Sequence, residues 1–458
     1  MKQYPAYPAY KSTGCDWFPE IPSHWGIDRA KWSISSCQNG VWGAEPDGDD
    51  DLVCIRVADF DRQSLRVSTE KLTMRSIAEK DRRNRLLKNG DLLLEKSGGG
   101  EQQLVGAVVE FNQPFPAVTS NFIARMVASD GVNSRFLVYL HSHLYSGRVN
   151  FRSIKQTTGI QNLDSQAYLD EPITYPPLDE QQAIARFLDF KTAQIDALIA
   201  KKKSLLDKLA EKRTALISHA VTKGLDSSVA MKDSKVEWLG DIPAHWAPKR
   251  MRFCMKTNPS KGEIKLNDDE LVSFIPMEAV GEFGGLNLDA EKELGEISGG
   301  YTYFADNDVV VAKITPCFEN GKGAIARGLK NGMAFGTTEL HVMRSDDTLL
   351  PDYLFHLTMS HPFRCIGESE MYGAGGQKRV PETFLKDFRI GLPPVNEQQD
   401  IIDYINKVNQ KLDLQMSKAT DVIDRLTEYR SALITNAVTG KIDVRGFEIS
   451  QSAEGISS

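Results

Sequence analysis

Two long stretches of the chain, 179–223 and 395–439, contain no Gly or Pro, and their apolar residues step alternately by four and three. In the first the stations are Ile184, Leu188, Lys191, Ile195, Leu198, Lys202, Leu205, Leu209, Lys212 and Leu216. In the second they are Ile401, Ile405, Val408, Leu412, Gln415, Ala419, Val422, Leu426, Tyr429 and Leu433. A repeat of 3.5 residues sustained this far predicts a coiled-coil seam. About 45 residues at ~1.5 Å each make a rod of roughly 65 Å. Pro177 and Pro394 disfavour helix before each start, and Asp179 with Gln182, or Asn396 with Gln399, has the spacing of a capping box. Gly224 and Gly440 supply the stops. Each helix could pack on its own domain, but two equal rods in one chain can also pair with each other. Three lysines at seam stations of the first helix weaken self-pairing and suit a partner protein.

The polar segments outside the rods bound short runs of another kind. "LVCIRVADF" (52–60), "GDLLLEK" (90–96) and "VGAVVEF" (105–111) are β-branched or continuously apolar, and "LVSFIPMEAV" (271–280) and "DVVVAKITP" (308–316) echo them. Short helices are predicted at "FLVYLHSHLYSG" (136–147) and "DYLFHLTMSHPF" (352–363). The echo is a repeat of nearly the whole chain. "PPLDEQQ" at 176 returns as "PPVNEQQ" at 393, "RTALISHAVTKGLD" at 213 as "RSALITNAVTGKID" at 430, and "IPSHW" at 21 as "IPAHW" at 242. The offset is 217 residues for the first two and 221 for the third. The chain is therefore two copies of a β-rich body followed by one long helix. The expected segments are 1–178, a first helix 179–226, a second body 227–394, a second helix 395–443 and a flexible tail 444–458.

Chemistry is hard to find. Six scattered cysteines form no C-x-x-C pair, which suits a reducing cytoplasm. No run approaches 18 apolar residues, so no membrane span is expected, and the N-terminus lacks the apolar core of a signal peptide. There is no Walker phosphate loop, G-x-S-x-G or H-E-x-x-H. A DNA amine methyltransferase needs a Pro-Pro-aromatic tetrapeptide, and "NPSK" (258–261) falls short of it. "PDGDDD" (46–51) reads as a solvated turn, and His141 and His143 as surface residues pointing apart. His24–Trp25 and His245–Trp246 read as a packed corner. A net charge of −7 argues weakly against nucleic acid, although a local basic face would suffice.

Polar, glycine-bearing loops remain, at equivalent places in the two copies. Asn, Gln, Lys and Arg on such loops can read base edges and phosphates. The candidates in the first copy are Lys96, Ser97, Gly98, Gln102, Gln103, Ser120, Asn121, Arg125, Thr157, Thr158, Gln161 and Asn162. In the second they are Lys313, Thr315, Asn320, Lys322, Thr337, Thr338, Gln377, Lys378 and Arg379. The segment 71–88, with seven basic residues against two acidic, is a further candidate phosphate grip. On the helices, Gln181, Gln182, Leu205, Leu209, Gln398, Gln399, Leu426 and Leu433 are the candidate partner contacts.

The paired helix starts and ends, the duplicated IPxHW, and "GDLLLEKSGGGEQQ", "SNFIAR" and "TTGIQNLD" together resemble the specificity subunits of type I restriction–modification systems over nearly all of 12–445. The resemblance implies a mixed α/β fold with two β-rich target recognition domains separated by two antiparallel coiled-coil helices in a pseudo-two-fold repeat. It implies that each domain reads half of a split double-stranded DNA target. The half-sites would lie about one turn apart. Two modification subunits would dock on the helices and restriction subunits would join through them, with S-adenosylmethionine, ATP and magnesium bound by those partners and none by this chain. Pro276 stands where the first copy has Arg56, so a contact there need not recur. Two other readings stay open: a protein-binding coiled-coil scaffold, and a DNA-modifying enzyme with unrecognised motifs.

Overall fold

A computed structural model describes residues 4–98, 103–157, 160–263, 266–297, 299–373 and 376–449. The chain divides into two compact units, Met1–Lys203 with Thr420–Ser458, and Ser204–Ala419. The two predicted rods are α1 (Leu178–Lys223) and α2 (Val395–Val438). Each unit therefore holds one body and a part of both helices.

In unit 1 the main sheet runs in the order Ile34–Asn39, Ile123–Ala128, Leu92–Glu95, Val108–Glu110, Arg66–Val67, Phe60–Asp61. A smaller sheet pairs Ala117–Thr119 in parallel with Leu52–Ile55. Unit 2 repeats the plan. Its first sheet is Met255–Thr257, Leu340–Ser345, Val309–Ala312, Gly323–Ile325, and in its second Met333–Gly336 runs parallel to Leu271–Ile275. The continuous apolar runs have a physical cause: both faces of these strands are covered. Leu92 and Leu94 pack toward the helix Ser134–Ser146 and the long helices, while Leu93 packs with Val109, Phe111 and Ile123 on the opposite side. Val309 and Val311 face one core of unit 2, and Val310 and Ala312 the other.

The predicted strands are shorter than their apolar runs. "LVCIRVADF" is a strand over Leu52–Ile55, breaks into a 3-10 turn at Val57–Asp59 and is a strand again only from Phe60. The predicted second short helix is two, Pro351–Thr358 and His361–Ser369.

The long helices begin two residues earlier than a capping box would place them. Gln181 N donates to Pro177 O at 2.9 Å and Gln398 N to Pro394 O at 2.9 Å, so Asp179 and Asn396 lie inside the first turn rather than at the cap. Their ends are as expected: Gly224 and Gly440 take φ of +76° and +72°. Within unit 1 the two helix portions run antiparallel. Val438 O, at the end of α2, accepts from Thr174 Oγ1 beside the start of α1, whereas Arg430 meets Asp196 further along. Within unit 2, Gly224 lies beside Glu397, and Arg213 pairs with Asp413 deeper in.

One row of the expected seam is in place and the other is displaced by a residue. Ile195, Leu209, Leu412, Ala419 and Leu433 are buried, but Leu198, Leu205, Gln415 and Val422 are exposed. Their neighbours Ile199, Leu206, Met416 and Ile423 turn inward instead. Adjacent apolar residues satisfy the same 4–3 stepping equally well, and only packing chooses between them.

Candidate nucleic-acid interface

The two helix starts lock onto the two IPxHW corners. Glu180 accepts from Trp25 Nε1 (2.9 Å) and Tyr7 Oη (2.9 Å) and lies 2.6 Å from His24 Nε2. Glu397 accepts from Trp246 Nε1 (3.0 Å) and lies 2.6 Å from His245 Nε2. Burial, and then Glu180, push the Tyr7 hydroxyl well above the usual phenol range. Gln181 and Gln398, expected as partner contacts, are buried. Gln181 donates to Pro176 O (2.8 Å) and accepts from Asn133 N (2.9 Å), while Gln398 donates to Thr348 O (2.8 Å) and Pro393 O (3.0 Å). Leu209 and Leu433 are also buried, so these four build the units themselves, whereas Gln182, Gln399 and Leu205 are exposed and Leu426 half-buried.

From this frame each body presents three polar loops, gathered by one lysine. In unit 1, Lys96 N donates to Phe122 O (2.8 Å) and Lys96 O accepts from Leu163 N (2.8 Å). In unit 2, Lys313 N donates to Glu339 O (2.9 Å) and Lys313 O accepts from Val380 N (2.8 Å). All three stations are offset by 217 residues. The first candidate loop therefore meets the second and the third in both copies, by the same two backbone bonds.

The side chains are less uniformly available than their polarity suggests. In unit 1, Lys96 Nζ donates to Asn39 Oδ1 at 2.7 Å, and Ser97 Oγ donates to Asn162 Oδ1 across the strand pair that also sets Gly98 opposite Gln161. Asn121 and Asn162 are exposed. Gln103 is exposed too, its amide oxygen turned toward Arg62. Three expected contacts are withdrawn from the surface. Ser120 is buried, Gln161 is buried and accepts from Val105 N at 3.2 Å, and Arg125 is held by Asp91 at 2.6 Å with its side chain largely covered. Thr157 ends the strand Ile154–Thr157, while Gln102 and Thr158 lie outside the described residues. In unit 2, Asn320, Thr338, Gln377 and Lys378 are exposed. Thr315 bonds Gly376 O and Lys378 N, Thr337 accepts from Glu339 N, Lys322 Nζ donates to Met277 O, and Arg379 is paired with Glu339.

The basic segment 71–88 is largely neutralised within its own unit. Arg75 pairs with Glu45, Arg82 with Asp50, Arg83 with Glu79 and Arg85 with Asp81. The acidic turn 46–51 is thereby a counter-charge, and Asp51 also accepts from Gly48 N. Arg56 is likewise held by buried Asp59. The histidines of "HSH" are buried, contrary to their reading as surface residues. His141 Nδ1 meets Tyr168 Oη at 2.7 Å and His143 Nδ1 meets Thr435 Oγ1 at 3.1 Å. Among the described residues no group of three or more His, Cys, Asp or Glu could hold a metal ion. None of the described helices is long and apolar enough to cross a membrane.

Polarity alone missed the exposed apolar residues within these loops. Phe122, Ile160 and Tyr372 are all more than half exposed. Phe122 lies inside the quoted "SNFIAR", after exposed Asn121 in the same turn and directly before buried Ile123, so nothing in the string itself marked it as exposed.

Comparison with known proteins agrees with this geometry. The Type I restriction modification DNA specificity domain matches twice, at 66–208 and 282–424, over more than half of the chain. The EcoEI type I restriction enzyme specificity subunit of Escherichia coli is 35% identical over 240 residues, which cover 51% of this chain and 39% of that protein. The EcoAI subunit is 34% identical over 239 residues, covering 51% and 40%. The chain thus matches about two fifths of the length of these two relatives. The MjaX putative specificity subunit of Methanocaldococcus jannaschii is 21% identical over 93% of this chain and 95% of its own length. A solved chain from work on complex assembly and conformational transition of the type I R-M system shares the fold at a TM-score of 0.66 and 12% identity, covering 92% of this chain and 99% of that one. By its two matched domains, the chain belongs to the family of type I restriction modification DNA specificity domains.

Proposed function

We propose that this chain is the sequence-reading subunit of a type I restriction–modification complex, each unit reading one half of a bipartite double-stranded DNA target. The observation that carries the reading is the repeated loop cluster. The same two backbone bonds from Lys96 and Lys313 gather three polar loops in each copy, while the side chains on those loops differ. A conserved frame with divergent tips suits two readers of unlike half-sites. Modification subunits would dock on exposed helix positions such as Gln182, Leu205 and Gln399, and restriction subunits would join through the complex. The chain itself would carry no chemistry. S-adenosylmethionine, ATP and magnesium would be bound by the partners, and the assembly would work in the cytoplasm. The partners would supply much of the positive charge that grips phosphate, since the net charge here is −7.

A genome-wide methylation map of cells with and without the gene tests this. The expected result is a bipartite motif with a fixed gap that disappears on deletion. An unchanged map in cells that express the assembled complex would overturn the reading.

A further inference from the structure

Arg379 is the most firmly aimed cation of the unit 2 loop cluster. Its backbone is held on both sides: its N–H donates to Tyr372 O at 2.9 Å, its carbonyl accepts from Tyr372 N at 3.2 Å, and the next residue binds Lys313 O. Its guanidinium lies against one carboxylate, Nε to Glu339 Oε2 at 2.9 Å and Nη2 to Glu339 Oε1 at 2.7 Å. The side chain is still 42% exposed. A guanidinium carries five N–H donors in one plane. Glu339 takes the Nε/Nη2 edge, and the outward Nη1/Nη2 edge has no hydrogen-bond partner among the described residues.

We propose that Arg379, clamped by Glu339, reads a guanine through its outward edge, and so sets one position of the half-site bound by unit 2. The inference rests on the DNA-reading function proposed above. Two parallel N–H donors match the N7 and O6 acceptors of guanine in the major groove. They would also fit a phosphate, but the clamp decides against that. A phosphate contact gains from net positive charge, which Glu339 cancels; Arg379 holds that carboxyl below its ordinary range, so the cancelling charge persists. A neutral base edge gains instead from donors held in a fixed direction, which a two-bond clamp provides. The equivalent residues of unit 1, 217 positions earlier, are Asn162 for Arg379 and Phe122 for Glu339. Neither the fork nor the clamp exists there, so the other half-site serves as an internal control.

The experiment selects bound duplexes from a randomised library, using the full chain assembled with its modification subunits, and compares wild type with Arg379→Gln and Arg379→Lys. For Arg379→Gln the preference for guanine over other bases should fall on the order of ten- to a hundredfold at a single position in one half-site. The other half-site should be unchanged. Arg379→Lys keeps the charge and loses the fork, and should relax the same position, which decides the matter if the glutamine variant fails to assemble. An unaltered motif in both variants, or weakening that is uniform across all sequences, would mark a structural or phosphate role and overturn the proposal. If the wild-type complex selects no bipartite motif at all, the DNA-reading function falls first and this assignment falls with it.

Discussion

Single residues carry the junction between body and helix. Glu180 is buried and receives two donors, Trp25 Nε1 and Tyr7 Oη, that have no water to fall back on. Glu180→Ala leaves both unsatisfied and should cost roughly 2–5 kcal/mol, read as a lower denaturant midpoint of the chain. Glu397→Ala should cost less, because that carboxylate is more exposed and receives only the indole and the imidazole. Gly440 shows why the helix stop is glycine: at φ +72° an added Cβ would sit 2.3 Å from Pro22 Cδ. Buried His141 gives the fold a pH response. Burial lowers its pKa to about 4, so the folded state keeps it neutral, whereas an unfolded histidine protonates near 6.5. Its contribution is complete above about pH 6.5, declines as pH falls and levels off near 4. The slope of unfolding free energy between pH 6.5 and 5 should therefore flatten in His141→Gln. An unchanged slope would place the titration elsewhere.

At the scale of elements, the one-residue shift in the seam separates folding from docking. Leu209 is buried, and Leu209→Asp places a charge in the seam at a cost of roughly 3 kcal/mol or more. Leu205 is 40% exposed, and Leu205→Asp should change thermal stability by about 0.5 kcal/mol or less. If modification subunits dock on this face, Leu205→Asp should weaken their co-purification while leaving the melting transition in place. A variant that melts early without losing its partners would show the reverse: a structural leucine and a docking surface elsewhere. Two of the parallel strand pairs, Ala117 opposite Val53 and Ala334 opposite Ser273, recur in both copies. Each pairs segments far apart in the chain, so no local hairpin rule could have found it.

At the scale of the whole molecule, neither unit 1 nor its core is continuous in sequence. Leu433, Ile434, Ala437, Val438 and Val444 from the far end of the chain pack with Ile184, Leu188 and Ile195, so the tail expected to be flexible from 444 onward begins with a core residue. Unit 2 lies within Ser204–Ala419 and needs nothing beyond it for its own core. Truncation after residue 419 should therefore open unit 1 and spare unit 2. Hydrogen exchange should show lost protection in strands such as Leu92–Glu95 and retained protection in Val309–Ala312. Equal loss in both would mean that the two units unfold as one.

What the sequence alone determined was whatever repeats or follows a short period. The duplication, the two rods with their glycine stops, and the positions of the central strands all depend on spacing along the chain, and spacing survives in a linear string. The same is true of the loop positions, which the repeat marked twice. The tertiary structure decided what each polar side chain meets. Arg125 beside Asp91, Arg82 beside Asp50, and Gln181 turned into its own unit are pairings between distant segments. Polarity makes such residues look available until the partner is seen. Packing likewise chose between adjacent leucines in the helices, because the seam needs one of them inside and the periodicity permits either.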